Sequence, residues 1–432
     1  MGVRAKITSA KPVSPEGLIG ARRAPAGATW ANKARREALA RLRAMGLPTR
    51  RDEYWKFTDP ASLVLPEAPP AKTFVSHEPE VFGEIDRLRL IFVDGVFDAQ
   101  SSDDLKMSGL EIELLDSATT RDIHWAQSLF GVLEARGQTP IQRPLAALNS
   151  AFANNGVVIR AVAPVARPVT LIYRHGRDNS DVMLHHVIRV EKGASLTLLE
   201  NGPAAARLNC VKEVEVADGA TFHHVRTQGR DHERRAVTHM FARVGENSTF
   251  KSFTLTANGA LTRNEVVVDL VGDNATANVA GAAVGDGAFH HDDTVFITHA
   301  ALAGESRQVF KKVLRNGATG VFQGKILVRS GAQKTDGYQI SQALLLDGDS
   351  QFLAKPELEI YADDVVCSHG STSGAIDEEA LYYLRARGIP RHKAQDLLVL
   401  AFLAQAIEEI DDPDIADDIR MRLEAWLYRH RA

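Results

Sequence analysis

The chain has 432 residues, of which 44% are hydrophobic, 25% charged and only 6% aromatic. Because this length exceeds the size at which one compact core usually stops growing, several domains or a repeat architecture are expected. The net charge of −4 argues against a nucleic-acid-binding protein.

The cysteine content and the apolar pattern indicate a cytoplasmic protein. Cys210 and Cys367 are the only cysteines, too few for a disulfide framework or for a complete zinc or cluster site within one chain. No window of about 18 apolar residues predicts a transmembrane helix. A reducing compartment is therefore expected, and no membrane association.

The first part of the chain predicts a leader followed by an α+β domain. Residues 1–29 are predicted to be a disordered leader. Their Gly, Ala and Pro content never builds the apolar run of a signal peptide. Residues 30–155 are predicted to form the N-terminal α+β domain. Apolar residues at helical spacing between Trp30 and Met45 predict its first helix, and residues 88–95 predict a strand that ends in a turn.

Residues 156–374 predict a parallel β-helix core. A short motif, a Gly or Asn followed by two small residues and an apolar one, begins at Gly193, Gly219, Asn247 and Asn274, at intervals of 26, 28 and 27 residues. A fixed period of this length is typical of a solenoid, in which each coil buries its face only against the next. The Gly or Asn is expected to supply a left-handed backbone conformation at each corner. A β-sandwich with coincidental spacing is the alternative.

Residues 375–432 predict a C-terminal helical domain. One helix opens at Asp377, the next begins at Pro390, and Asp412 caps the last. The middle helix carries two apolar stripes, one more than a surface helix needs. The second stripe either completes a small bundle or contacts a partner. Its predicted partner-binding residues are Leu400, Leu403 and Ile407.

Cys367 and His369 are the main candidates for metal chemistry. They lie two apart on a predicted strand at the end of the solenoid, so a thiol and an imidazole share one face. Alone, such a pair is compatible with ordinary packing. With further ligands from a second chain, it would suit iron or a nascent iron–sulfur cluster.

Other polar groups are weaker candidates. The run of residues 290–293, His-His-Asp-Asp, together with His299, is interpreted either as metal ligands or as solvent-facing turn residues. Glu357 and Glu359 share a face and are either ligands or surface charge. Residues 320–325 resemble a phosphate loop, but the glycines are one residue too close and Ile326 replaces the magnesium-binding Ser or Thr. Neither bound nucleotide nor enzymatic activity is therefore expected.

The run from Lys355 to Gly370, KPELEIYADDVVCSHG, closely resembles the signature of the SufD family of iron–sulfur cluster assembly proteins. Residues 54–58, 306–308, 320–325 and 383–389 match the same family. The related SufB family carries Glu-His-Glu-Ala where this chain has residues 367–370, so the chain resembles the D subunit.

The resemblance implies a right-handed parallel β-helix between an N-terminal domain and a C-terminal helical domain. It also implies pairing with SufB through the solenoid and docking of the ATPase SufC on the C-terminal helices, with a homodimer possible in isolation. His369 is then expected to contribute to a transient cluster opposite a SufB cysteine, beside Cys367. The alternatives are a metal-independent structural homodimer and a carbohydrate-active β-helix enzyme, which the missing signal peptide disfavours.

Overall fold

The computed structural model describes residues 14–20, 22–73, 79–202, 204–229 and 232–430. Helix α1 (Pro15–Gly20) lies within the stretch that the sequence predicts to be disordered, and Leu18 on it is buried. The structure differs there from the prediction because this side chain packs among the apolar residues under the N-terminal helices. Residues 1–13 and 21 of the predicted leader lie outside the described residues.

The N-terminal region contributes helices to one outer face of the solenoid and strands to both of its sheets. Trp30–Met45 was predicted to be helical, and α2 confirms this. Strand β1 pairs with β5 and strand β3 with β4, so these strands extend the solenoid sheets instead of forming a sheet of their own. The elements are α2 (Thr29–Met45), β1 (Leu88–Val93), β2 (Val96–Phe97), β3 (Leu110–Leu114), α3 (Leu115–Thr120), α4 (Val132–Arg136) and α5 (Pro144–Phe152).

The core is a β-solenoid of about seven turns, which confirms the predicted fold class. Consecutive strands alternate between a nine-stranded and a ten-stranded sheet, and each pairs in parallel with the strand two further along the chain. The strands are β4 (Val157–Ala161), β5 (Val169–Arg174), β6 (Asp181–Val190), β7 (Ser195–Gly202), β8 (Arg207–Val216), β9 (Thr221–Gln228), β10 (Arg235–Val244), β11 (Thr249–Ala257), β12 (Leu261–Leu270), β13 (Thr276–Asp286), β14 (His290–His299), β15 (Glu305–Arg315), β16 (Thr319–Val328), β17 (Thr335–Leu345), β18 (Gln351–Ile360) and β19 (Val365–Gly374).

The repeated motif lies at the corners of the coils, as predicted. Ser195 pairs with Thr221, Thr221 with Thr249, and Thr249 with Thr276. These pairs are separated by 26, 28 and 27 residues, the same intervals as the copies of the motif. The corner residues have positive φ, for example 69° at Gly193 and 53° at Asn247. These angles are in the left-handed region, which Gly and Asn adopt most readily.

Three apolar layers hold the molecule together. The first fills the space between the two sheets, and the second lies between the nine-stranded sheet and the N-terminal helices. The third lies between the ten-stranded sheet and the C-terminal helices α7 (Arg391–Ile407) and α8 (Pro413–Arg429), and α6 (Glu378–Ala386) packs against α7. The side chains of Asp377 and Asp412 cap α6 and α8, as predicted.

A buried ionic cluster joins the N-terminal region to the outer face of the nine-stranded sheet. The Arg263 guanidinium donates to the Tyr54 carbonyl at 2.8 Å and to Glu265 at 2.8 Å, and it also pairs with Asp292. The Thr58 hydroxyl donates to Asp292 at 2.6 Å. Residues 54–58, which resemble the family in sequence, thus anchor the N-terminal region on the solenoid. No helix in the described ranges is long and apolar enough to span a membrane.

Candidate functional site

The end of the solenoid that follows β17 is open. Strand β18 ends the nine-stranded sheet and strand β19 ends the ten-stranded sheet. Within the described chain, no strand pairs with the free edge of either one. An edge of this kind presents unpaired backbone donors and acceptors, which can pair with another chain.

Cys367 and His369 both lie on β19, on the face that continues the interior of the solenoid. Cys367 is in register with Gly337 of β17, and His369 with Gln339. Gln339 is fully buried and donates from its amide to Gln308 at 2.9 Å, which identifies this face as the inner one. Because no further coil covers it, His369 is exposed and Cys367 is half-buried.

The Cys367 thiol occupies space that Gly337 leaves free. A Cβ atom added at Gly337 would meet the Cys367 sulfur at 3.2 Å, closer than ordinary van der Waals contact. Burial raises the pKa of the Cys367 thiol; a backbone hydrogen bond from Gly337 acts in the opposite direction, and the charge of Asp336 raises it further. The sulfur is therefore mainly a thiol at neutral pH and must release a proton to bind iron.

Cys367 and His369 are the two candidate ligand side chains that share the inner face at the open end. No group of three or more His, Cys, Asp or Glu residues in the described parts of the chain is arranged to hold a metal ion. Glu357 and Glu359 point to the outer side of β18, where Glu357 accepts a hydrogen bond from Tyr54 and Glu359 pairs with Lys325. They are therefore remote from the inner face that carries Cys367 and His369.

The His-His-Asp-Asp run forms the start of β14 and is not a solvent-facing turn. His291 and Asp293 lie inside the solenoid, where Lys312 donates to both, at 3.0 and 2.7 Å. Asp292 lies on the outer face, in the cluster with Arg263. The interpretation as turn residues is wrong, because buried ion pairs and hydrogen bonds occupy these side chains.

The family of this chain follows from comparison with known proteins. A model of the SUF system FeS cluster assembly SufBD core domain matches residues 173–402, more than half of the chain. The chain belongs to the SufBD family. The SufBD match begins in β5 and ends within α7, so it includes the open end, helix α6 and most of α7.

Individual SufBD relatives are similar over much of their length. The iron-sulfur cluster assembly protein SufD of Escherichia coli (strain K12) is 28% identical over 412 residues, with 89% of this chain and 90% of the relative covered. A SufBD family protein of Synechocystis is 26% identical, with 87% and 86% covered. The Bacillus subtilis SufD is 29% identical over 281 residues, with 62% and 63% covered. Together these relatives place the chain with SufD among the SUF iron–sulfur assembly proteins.

The apolar stripe predicted to bind a partner is largely covered within the chain. Leu403 and Ile407 are 0% and 1% exposed, and Leu400 is partly buried, all three packed in the layer against the ten-stranded sheet. Leu397, on the other stripe, is 48% exposed. The assignment of Leu403 and Ile407 to a partner surface is therefore corrected, because the solenoid occupies that side of α7.

Several large exposed apolar residues at the start of β19 and on α6 were not identified from the sequence. Tyr361 and Val366 flank the start of β19 and are 62% and 71% exposed; Tyr382 and Tyr383 on α6 are 75% and 57% exposed. Helical spacing alone indicates no role for adjacent tyrosines on a short helix. Their exposure becomes apparent only once α6 is seen to bury a single residue, Leu381.

Proposed function

We propose that the chain is a non-enzymatic scaffold subunit of a cytoplasmic SUF complex, whose open solenoid end builds an iron–sulfur cluster against a second subunit. The observation that supports this is the placement of exposed His369 and half-buried Cys367 on the inner face of an unpaired terminal coil. In a SufBD protein, iron and sulfide are the cargo. His369 supplies a nitrogen donor and Cys367 a sulfur donor.

The second subunit is needed because one chain does not complete the ligand set. Iron–sulfur clusters are usually held by four protein ligands, and the open end offers two. The free edges of β18 and β19 allow a second β-helix, of the SufB type, to continue the sheets across the interface. The missing ligands then come from the facing coil.

The C-terminal helices provide the proposed contact for the ATPase SufC. Tyr382, Tyr383 and Leu397 expose apolar surface on α6 and α7, on the side away from the solenoid. The opposite side of α7 packs on β13 and β15, in the same sheet as β19. Movement of these helices by a nucleotide-driven partner would therefore act on the sheet that carries His369. We assign this chain no bound nucleotide and no catalytic step of its own.

The test is anaerobic co-expression with SufB and SufC, followed by measurement of complex yield, iron and acid-labile sulfide. His369→Ala is compared with wild type and with His392→Ala, an exposed histidine at the start of α7. We expect an unchanged yield of complex with iron and sulfide lost only from His369→Ala. Equal iron and sulfide in all three would remove His369 from the ligand set. Failure of the wild type to form a complex would refute the scaffold role.

A homodimer through the same open end is the second candidate, because the free edges are equally available to another copy of the chain. Ser371 lies on the inner face of β19 and is exposed. A lysine at this position places a charge inside the terminal coil and should block pairing of either kind. Native mass spectrometry of the isolated chain, wild type against Ser371→Lys, distinguishes a dimer through this end from a monomer.

A further inference from the structure

The interior of the solenoid contains a small cavity with charged side chains in its walls, remote from the open end. It lies between β5, β7, β8, β9 and β10, and its walls include Tyr173, Glu200, Cys210, Lys212 and Arg226. Its volume is about 20 Å³. A cavity needs about 10–15 Å³ to hold one water molecule, so this one accommodates a single water-sized particle.

The cavity walls carry more positive than negative charge. Glu200 is the only carboxylate among the described residues that line it. Lys212 pairs with Glu200 at 2.9 Å, and Tyr173 donates to the other carboxylate oxygen at 2.7 Å. His224 also contacts Glu200, but burial lowers its pKa to about 4, so it is neutral at physiological pH. The single carboxylate is thus already shared with Lys212.

Arg226 lies beside Glu200, its in-register neighbour, but makes no hydrogen bond to a carboxylate among the described residues, and Arg234 is a third cation in the lining. Its side chain is buried, with 7% of the residue exposed, and its guanidinium donates to Thr238 at 3.0 Å and to Asn264 at 3.0 Å, both neutral acceptors. Its Nε–H has no hydrogen-bond partner in the described structure. A buried charge whose hydrogen-bond acceptors are all neutral is costly, and a guanidinium is too basic to lose its proton.

We propose that this cavity binds one small inorganic monoanion of halide size, held by Arg226 and Lys212. Such an ion is slightly larger than the water-sized space of the cavity, so its binding needs a small outward shift of the walls, and it supplies the missing negative charge. The Cys210 sulfur lies 3.7 Å from the Lys212 ammonium, but burial raises the pKa of this thiol, although Lys212 acts in the opposite direction. The sulfur therefore remains neutral and does not replace the anion. This site is independent of the proposed cluster chemistry.

The test uses the full chain with chloride and bromide as probes. Thermal unfolding is followed while chloride replaces gluconate at constant ionic strength, because gluconate is too large for the cavity. Binding to the folded state alone raises the unfolding temperature in a saturable way. Crystals grown with bromide are then examined for anomalous scattering inside the cavity. We expect saturable stabilisation and a bromide peak next to Arg226.

Two substitutions should change the halide affinity in opposite directions. Arg226→Gln removes a charged donor and should weaken halide affinity about tenfold or more. Glu200→Gln removes the competing negative charge and should strengthen it. Arg243→Gln, in an ion pair on the outer surface, is the matched control and should leave affinity unchanged.

The bromide experiment on the wild type decides the question even where a substituted chain does not fold. A cavity without bromide would overturn the proposal, as would the same chloride dependence in Arg226→Gln and wild type. A thiolate absorbance that disappears in Cys210→Ser, without any chloride dependence, would assign the compensating charge to sulfur and also overturn it.

Discussion

The Cys367 sulfur lies directly over Gly337, its in-register partner on the neighbouring strand, and a Cβ atom at position 337 would approach it to 3.2 Å. Because Gly337 has no side chain, the Cys367 sulfur lies close to the backbone of β17. The sulfur is shielded on the side of β17, and the residue is half-buried.

Enlarging residue 337 should displace the thiol. Gly337→Val is expected to reduce iron retention in the assembled complex to the level of Cys367→Ser, while destabilising the chain by about 1–3 kcal/mol through overpacking. Iron content and urea unfolding measure the two effects. Gly331→Ala, where an added Cβ has no neighbour within 4 Å, is the control. Full iron retention in Gly337→Val would show that the thiol position is unimportant.

The reactivity of Cys367 should depend on pH in a characteristic way. Because burial raises its pKa, the alkylation rate in the metal-free chain should still be rising at pH values where an ordinary thiol, of pKa about 8.5, is already ionised. The measurement uses Cys210→Ser, so that a single cysteine remains. A rate that is constant from neutral pH upward would indicate a stabilised thiolate instead.

The buried ion pairs of Arg263, which attach the N-terminal region to the solenoid, should contribute strongly to the free energy of unfolding. Arg263→Met leaves Asp292 without a cationic partner and Glu265 with Arg143 as its remaining arginine, and should destabilise the chain by about 3–5 kcal/mol in urea unfolding. The surface ion pair of Arg243 with Glu215 should contribute less than about 1 kcal/mol when removed by Arg243→Gln. Similar losses of unfolding free energy in Arg263→Met and Arg243→Gln would contradict the larger contribution of the buried cluster.

Buried histidines should make the fold sensitive to mild acid. Burial lowers the pKa of His239 to about 4, although Glu265 lies 3.8 Å away. Since its unfolded pKa is about 6.5, the unfolded chain binds a proton that the folded chain excludes between these values. Protonation of this residue in the unfolded chain should therefore lower the free energy of unfolding, by up to about 3 kcal/mol, as the pH falls from about 6.5 to 4.

Substitution of His239 tests this dependence. In His239→Gln, the fall of the urea midpoint across that pH window should be shallower than in the wild type. His392→Gln changes an exposed residue and should keep the wild-type slope. An unchanged slope in His239→Gln would show that this histidine is protonated in the folded state or titrates normally.

The fold could be predicted from the sequence because its signals are local and repeated. The corner residues Gly193, Gly219, Asn247 and Asn274 recur at the spacing of the strand register itself. Asp377 and Asp412 are helix caps that need no tertiary information. The pairing of β1 and β3 with the solenoid was not predicted, because it depends on contacts between segments distant in sequence.

The candidate site could be predicted only in part, for the same reason. Strand alternation places Cys367 and His369 on one face, but periodicity does not show which side of α7 meets the solenoid, so Leu403 and Ile407 were assigned to the wrong surface. The His-His-Asp-Asp run appeared to be exposed because its ion partners, Lys312 and Arg263, come from other coils.

Hyperfine spectroscopy of the reduced cluster in the assembled complex, with isotope-labelled histidine nitrogen confined to this chain, tests the central claim most directly. If His369 is a ligand, a nitrogen coupling is present in the wild type and in His392→Ala and absent in His369→Ala. A coupling that survives in His369→Ala, or is missing from the wild type, would contradict the assignment of the open solenoid end as the place where the cluster is held.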